Sequence, residues 1–278
     1  MAGPTLRPRA GSSAKALLLT VLGELVLPQD GAAWTATLVA ALGRLDVEEK
    51  NARQAIARQA DDGLLAGVRD GRRVRWHLTD AGRELLTVGT ERIYAFGGPG
   101  GEAWESRWLV VLCPVPEEQR AKRHHVRSRL GFAGFGFLSA GVAISPHLER
   151  EAFANAVLEE LGLVDGAAVL RAEAGTLVSD IALLHRAWDL DALADRYRRF
   201  VDAVEALDPR DDAARFAALV TLVHEWRRFP FVDPEIPDAL LPPDWPGHRA
   251  KVLFDERHAC WSPAAVAWFA ERERASRG

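Results

Sequence analysis

The stretch from Val47 to Thr87 narrows the choice of folds more than any other part of the chain. It reads VEEKNARQAIARQADDGLLAGVRDGRRVRWHLTDAGRELLT. Val47, Ala52, Ala55, Ile56 and Ala60 recur at helical spacing, so they form the inner face of a helix from about Glu48 to Asp61. Glu49, Lys50, Arg53, Gln54, Ala57 and Arg58 then face outward. Asp61-Asp62-Gly63 closes the helix, with Gly63 suited to a left-handed cap. Leu64-Leu65 starts a strand, and Asp70-Gly71, within Arg69–Arg72, is a strong hairpin signal. Beyond the tip, Arg73, Arg75 and His77 alternate with Val74, Trp76 and Leu78, which predicts a strand with one basic and one apolar face. Thr79 caps a short helix from Asp80 to about Val88.

A helix followed by a basic hairpin is the arrangement a winged helix-turn-helix offers to double-stranded DNA. On that reading Asn51, Arg53 and Gln54 reach base edges, because a guanidinium pairs with guanine and an amide with adenine. Lys50, Arg58, Arg69, Arg72, Arg73 and Arg75 meet mainly phosphates, which set affinity and register. The competing reading is a wing used for protein contacts, with solvated arginines. Charge placement favours the polyanion. The chain carries −4 overall, yet residues 50–83 hold 8 basic and 4 acidic side chains. Residues 151–278 hold 15 basic against 23 acidic.

Around this stretch the pattern predicts an α+β protein in three parts. The first, residues 12–98, is a winged helix-turn-helix. It opens with a helix capped by Ser12 or Ser13, whose Leu17, Leu18, Val21, Leu22 and Leu25 share a face. A second helix carries Trp34, Leu38, Val39 and Leu42. The second part, residues 104–176, follows a Gly-rich connector (GGPGGEAW). It has the order β-α-β-β-α-β of a ferredoxin-like domain, a platform suited to dimerisation. The third, residues 179–275, is helical and is interrupted by a Trp- and Pro-rich strap over 224–250. Aromatic residues in that strap need somewhere to pack, so it is ordered and not a flexible linker.

Several classes of activity find no support. No apolar run reaches membrane-span length; AKALLLTVLGELVL is too short and charged. Met1–Gly11 lacks an apolar core and reads as a frayed tail in a cytoplasmic protein. Cys113 and Cys260 are far apart with no metal spacing and read as reduced thiols. No P-loop, G-x-S-x-G, H-E-x-x-H or dinucleotide fingerprint is present, so no catalytic residue, metal or cofactor is expected and the chain is taken as a non-enzyme. The middle domain resembles small CRISPR-associated nucleases in outline. Those carry an acidic residue after the first strand, where this chain has Cys113-Pro114-Val115. The alternatives retained are a ligand-binding protein or interaction scaffold without DNA binding and, with least support, a metal-dependent nuclease.

Two quoted regions carry a family resemblance. VEEKNARQAIARQADDGLL, GRRVRWHLTDAGRELL and ERIYAF, after the Ala14 helix, resemble the N-terminal domain of the PaaX family of phenylacetic-acid degradation repressors. His224-Glu225-Trp226-Arg227-Arg228-Phe229-Pro230-Phe231, Asp233-Pro234, Leu240-Leu241-Pro242 and Trp245-Pro246-Gly247 resemble its C-terminal signature. Gln59 departs from the apolar residue usual at its position, and Leu65 from the usual aromatic. The resemblance implies a homodimeric repressor of an aromatic-acid operon, released by an aryl-coenzyme A thioester such as phenylacetyl-coenzyme A. For that ligand the candidates are His224, Trp226, Arg227, Arg228 and Phe229 at the strap. Arg123 and His124 join them from the basic run Arg120, Lys122, Arg123, His124, His125, Arg127 and Arg129. A solvated helix is the competing reading for that run.

Overall fold

A computed structural model describes residues 13–98 and 104–277. Met1–Gly11, Ser12 and most of the Gly-rich connector lie outside the described residues. The chain divides into two compact units. One holds the N-terminal segment to Gly98, Arg198–Arg228 and the chain from Arg249 on; the other holds the middle segment to Tyr197 and Phe229–His248. The three consecutive parts expected from sequence therefore map onto two discontinuous units.

In the first unit, α1 (Ala14–Val21) is capped by Ser13, whose hydroxyl accepts from the Ala16 amide. One π-helical turn, Leu22–Val26, extends it. β1 (Ala32–Trp34) leads into α2 (Thr35–Gly43), then α3 (Glu49–Asp61). β2 (Leu65–Asp70) and β3 (Arg73–Leu78) form the hairpin, and α4 (Asp80–Ala95) follows with Thr79 as its cap. The two-residue loop Gly71-Arg72 has Gly71 at φ 59 and Arg72 on the ordinary side, the pattern of a type II′ turn. β1 adds to the free edge of β3, giving the antiparallel order β1-β3-β2. Sequence periodicity missed β1, because three residues are too few to show alternation; pairing of Ala32 with His77 and Trp34 with Arg75 makes it a strand. Leu18, Leu22, Leu38, Leu42 and Ile56 are fully buried beneath these helices.

The second unit contains β4 (Trp108–Leu112), α5 (Arg120–Phe132), β5 (Gly136–Ser139), β6 (Val142–Ser145), α6 (Glu151–Glu160) and β7 (Ala168–Ala172). The sheet order is β5-β6-β4-β7 with antiparallel neighbours. That is the ferredoxin-like arrangement, and Leu109, Val111, Val126, Leu130, Ala154 and Leu158 fill the space between sheet and helices.

Helices α7 (Asp180–Ala187), α8 (Leu190–Glu205) and α9 (Asp212–Trp226) follow. The strap beyond α9 is ordered, and its polar contacts show why. Phe229 stacks on Tyr197 with ring centroids 4.2 Å apart, and the Tyr197 hydroxyl donates to Asp233 Oδ2 at 2.5 Å. Arg150 donates to the carbonyl of Ala133 and to Glu235. The non-helical part is shorter than its proline content suggested. α10 (Pro246–Ala275) begins at the last strap proline and runs on through Pro263. Proline in the first helical position costs nothing, since its missing N–H would have no partner there.

Candidate nucleic-acid interface

The helix α3 separates its residues as the spacing predicts. Ala52, Ala55 and Ile56 are buried, and Lys50, Asn51, Arg53, Gln54 and Arg58 are exposed together on the opposite side. Small alanines at the buried positions let α3 approach its neighbours closely, which leaves the long polar side chains free. Arg53 bonds back to Glu49 one turn earlier at 2.8 Å. Both side chains are more than half exposed, so this pair contributes little to stability and can be exchanged for another acceptor.

Gln59 lies on the buried side. It is 0% exposed, and neither its amide nitrogen nor its oxygen has a hydrogen-bond partner. An unpaired buried amide costs about 1–3 kcal/mol. Gln59→Leu is therefore expected to stabilise the protein by roughly that amount, read as a higher denaturant midpoint at unchanged slope.

The four hairpin arginines fall into two groups. Arg69 and Arg72 are exposed, with no ion pair among the described residues. Arg73 is held loosely: it lies 3.5 Å from Asp70 and donates to the carbonyl of Ser276 at 3.1 Å. Arg75 is enclosed. Its side chain is 22% exposed, it donates to Asp30 Oδ2 at 2.5 Å, and its Nε faces Glu273 Oε1 at 3.7 Å. Its guanidinium also sits 5.9 Å from the centroid of the Trp34 ring. Burial opposes ionisation of Asp30, but hydrogen bonds from Arg75 and the Ala32 amide outweigh it and hold the carboxyl below its usual range. Strand alternation gave the direction of Arg75 correctly. It carried no sign of Asp30, Trp34 and Glu273, which are distant in sequence and cover that face.

The residues expected to meet a small ligand are spread over both units. Arg123, half-buried on α5, donates to the carbonyl of Val115 and to Glu117. It lines an open cleft of about 550 Å³ with Leu112, Pro114, Val115, Gly141 and Val142. His124 is exposed on the same helix. Phe229 is buried against Tyr197. Trp226 is 0% exposed, with its Nε1 donating to the carbonyl of Ile93, so its indole is a core element with no face open to a ligand. Arg227 is half-buried, and Arg228 pairs with Glu225.

His224 is 4% exposed, with the Thr20 hydroxyl 3.5 Å from its Nδ1. Burial, and then the charges of Arg227 and Arg228, push its pKa down from 6.5 to about 4. The folded state therefore binds this proton less readily than the unfolded chain does. The stability it contributes is complete above the unfolded value and is lost as pH falls from about 6.5 toward 4, by about 3 kcal/mol. Denaturant midpoints taken across this window are expected to fall for the wild type and to fall markedly less for His224→Gln. Among the described residues no group of three His, Cys, Asp or Glu side chains is placed to hold a metal ion. The position after β4 is taken by Cys113, a buried thiol whose pKa burial raises.

Comparison with known proteins places the chain. Residues 13–82 match the family model for PaaX-like protein, residues 101–183 that for the PaaX protein central Cas2-like domain, and residues 188–271 that for the PaaX-like protein C-terminal domain. The chain belongs to the PaaX family. Within it, the transcriptional repressor PaaX of Escherichia coli strain K12 is 29% identical over 282 residues, covering 98% of this chain and 86% of that one. An uncharacterized protein of Mycobacterium tuberculosis, Rv0674, shares the fold at a TM-score of 0.62. It has 21% sequence identity, with 99% of this chain and 100% of that chain covered. The PaaX match to 13–82 takes in α3 and the whole hairpin, and the match to 188–271 takes in the strap and most of α10.

Proposed function

We propose that the chain is a DNA-binding transcriptional repressor of a phenylacetate-type catabolic operon. It acts in the cytoplasm as a homodimer and is released from its operator by an aryl-coenzyme A thioester such as phenylacetyl-coenzyme A. The observation that carries this reading is the exposed face of α3 beside a hairpin tip with two free arginines. α1 to α3 with the β2–β3 hairpin form a winged helix, in which α3 enters the major groove and the wing lies along the backbone. Asn51, Arg53 and Gln54 read base edges; Lys50, Arg58, Arg69 and Arg72 contact phosphates. The E. coli relative is named as a transcriptional repressor, which supports the same reading. Among the described residues no helix is long and apolar enough to cross a membrane. Two half-sites on a duplex are matched by a two-fold dimer.

The effector reading rests on the family and on the cleft beside Arg123. That cleft offers an apolar wall to an acyl group and one cation to an anionic group. Fluorescence anisotropy with a labelled duplex from the gene's own upstream region tests both halves. Saturable binding that phenylacetyl-coenzyme A reverses at micromolar concentration is the expected result, with free coenzyme A ineffective. Binding that the thioester leaves untouched overturns the effector assignment and leaves the DNA reading standing.

A further inference from the structure

Arg75 points from the basic face of β3, as Arg73 does, but the last turn of α10 covers it. Glu273 is 9% exposed, and its Oε2 accepts the Trp34 backbone amide at 3.1 Å. Its other oxygen faces Arg75 Nε at 3.7 Å, beyond hydrogen-bond reach, and both of those atoms lack a hydrogen-bond partner. Asp30 holds the far end of the same guanidinium at 2.5 Å. Three residues on, the Ser276 carbonyl accepts from Arg73, and the Ser276 hydroxyl lies 3.1 Å from that of Thr37.

Three features make this an odd way to build a purely structural contact. Two carboxylates converge on one guanidinium, where one would neutralise it. Glu273 sits in the last turn of a helix, where the helix dipole disfavours a carboxylate. A neutral side-chain oxygen could also accept the Trp34 amide, though less strongly than a carboxylate. The arrangement does have one clear effect: it removes a cation from the surface of the wing.

We propose that the last turn of α10 is a latch on the wing, in which Glu273, together with Asp30, holds Arg75 inside the protein and out of the phosphate-contacting set. This rests on the DNA-binding reading above. With the latch closed, the wing offers DNA the tip arginines Arg69 and Arg72. With it open, Arg75 joins them. The 3.7 Å contact to Glu273 is the weaker of the two holds, and release of Arg75 also requires its 2.5 Å bond to Asp30 to break. Glu273 is thus a positioning residue: it acts on DNA through Arg75 and touches no base or phosphate.

The test compares four full-length proteins: wild type, Arg75→Gln, Asp30→Asn/Glu273→Gln, and the triple variant. Asparagine and glutamine keep the shape of the acids and still accept the amide bonds. The salt dependence of binding to a mixed-sequence duplex counts phosphate contacts, at about 0.9 in log–log slope for each. With both protomers of the dimer on DNA, the double variant is expected to steepen the slope by up to about 1.8, one contact per protomer, and the triple variant to return it to the wild-type value. Arg75→Gln alone leaves the slope unchanged. If that variant fails to fold because two acids lose their counter-charge, the double and triple variants carry the comparison alone. A slope in the double variant equal to wild type overturns the latch. So does a gain that survives in the triple variant, since that would be general charge repulsion.

A readout without DNA separates this failure from failure of the functional reading. Arg75 should react with phenylglyoxal at least several-fold more slowly than Arg72 in the wild type and at a comparable rate in the double variant, followed by peptide mass spectrometry. Equal rates in the wild type overturn the latch whatever happens with DNA. Slow reaction in a protein that binds no duplex overturns the DNA reading and, with it, the role given to the latch.

Discussion

Replacing Trp226 with alanine is expected to cost about 3–5 kcal/mol, enough to unfold a large fraction of a marginally stable protein at room temperature. The indole is fully buried and stacked on Phe254 with ring centroids 4.8 Å apart. Phe96 and Phe200 flank it at 5.7 and 5.5 Å. Truncation removes that packing, leaves a cavity the surrounding rings cannot fill, and deprives the Ile93 carbonyl of its Trp226 donor. Trp226→Phe keeps most of the apolar contact and loses the hydrogen bond, so it should cost about 1–2 kcal/mol. Thermal and denaturant unfolding of the two variants measure both figures. The same experiment decides the residue's role: a ligand-contacting tryptophan could be truncated at little cost in stability, and a core one cannot.

The second large effect is expected at the tip of the wing. Arg69→Ala/Arg72→Ala should leave unfolding unchanged, because both side chains are exposed and neither has an ion pair among the described residues. It should weaken binding to all duplex sequences alike and flatten the log–log salt slope of the bound dimer by about 3.6, two contacts per protomer at about 0.9 each. Arg53→Ala should behave differently. Its expected signature is a loss of preference between operator and unrelated DNA, by about 1–3 kcal/mol, with a smaller change in salt slope. Parallel titrations on specific and mixed-sequence duplexes separate the two patterns. If Arg53→Ala weakens both duplexes equally, α3 is not reading bases through that side chain.

The parts of the fold that depend on local periodicity were legible in the sequence. The buried and exposed sides of α3 follow from 3.6-residue spacing, and the hairpin from Asp70-Gly71 between alternating strands. The order of the middle domain was legible too, although the glycines of GFAGFGFLSAGVAIS blurred the limits of β5 and β6, and Phe132 belongs to α5. What was not legible is whatever depends on segments distant in sequence. β1 is a strand only because β3 offers it an edge. α10 starts at Pro246, where proline content argued for an extended strap, because a proline that ends one helix can also begin another. Arg75 and Arg72 look alike in sequence, and their difference is made by Asp30, 45 residues before Arg75, and by Glu273 in the last turn of the chain's final helix. Gln59 was visible as a departure from the apolar residue usual in the family. Its two unpaired amide atoms were not.

The measurement that bears most directly on the central claim is the affinity of the wild-type protein for a duplex from its own upstream region, taken by anisotropy from about 50 to 200 mM salt. With Lys50, Arg58, Arg69 and Arg72 of both protomers on phosphates, log affinity should fall linearly with log salt at a slope of about −7, and the operator should outcompete mixed-sequence DNA. No binding up to micromolar protein at the lowest salt, or binding with no salt dependence, would contradict the assignment of α3 and the wing as a DNA interface.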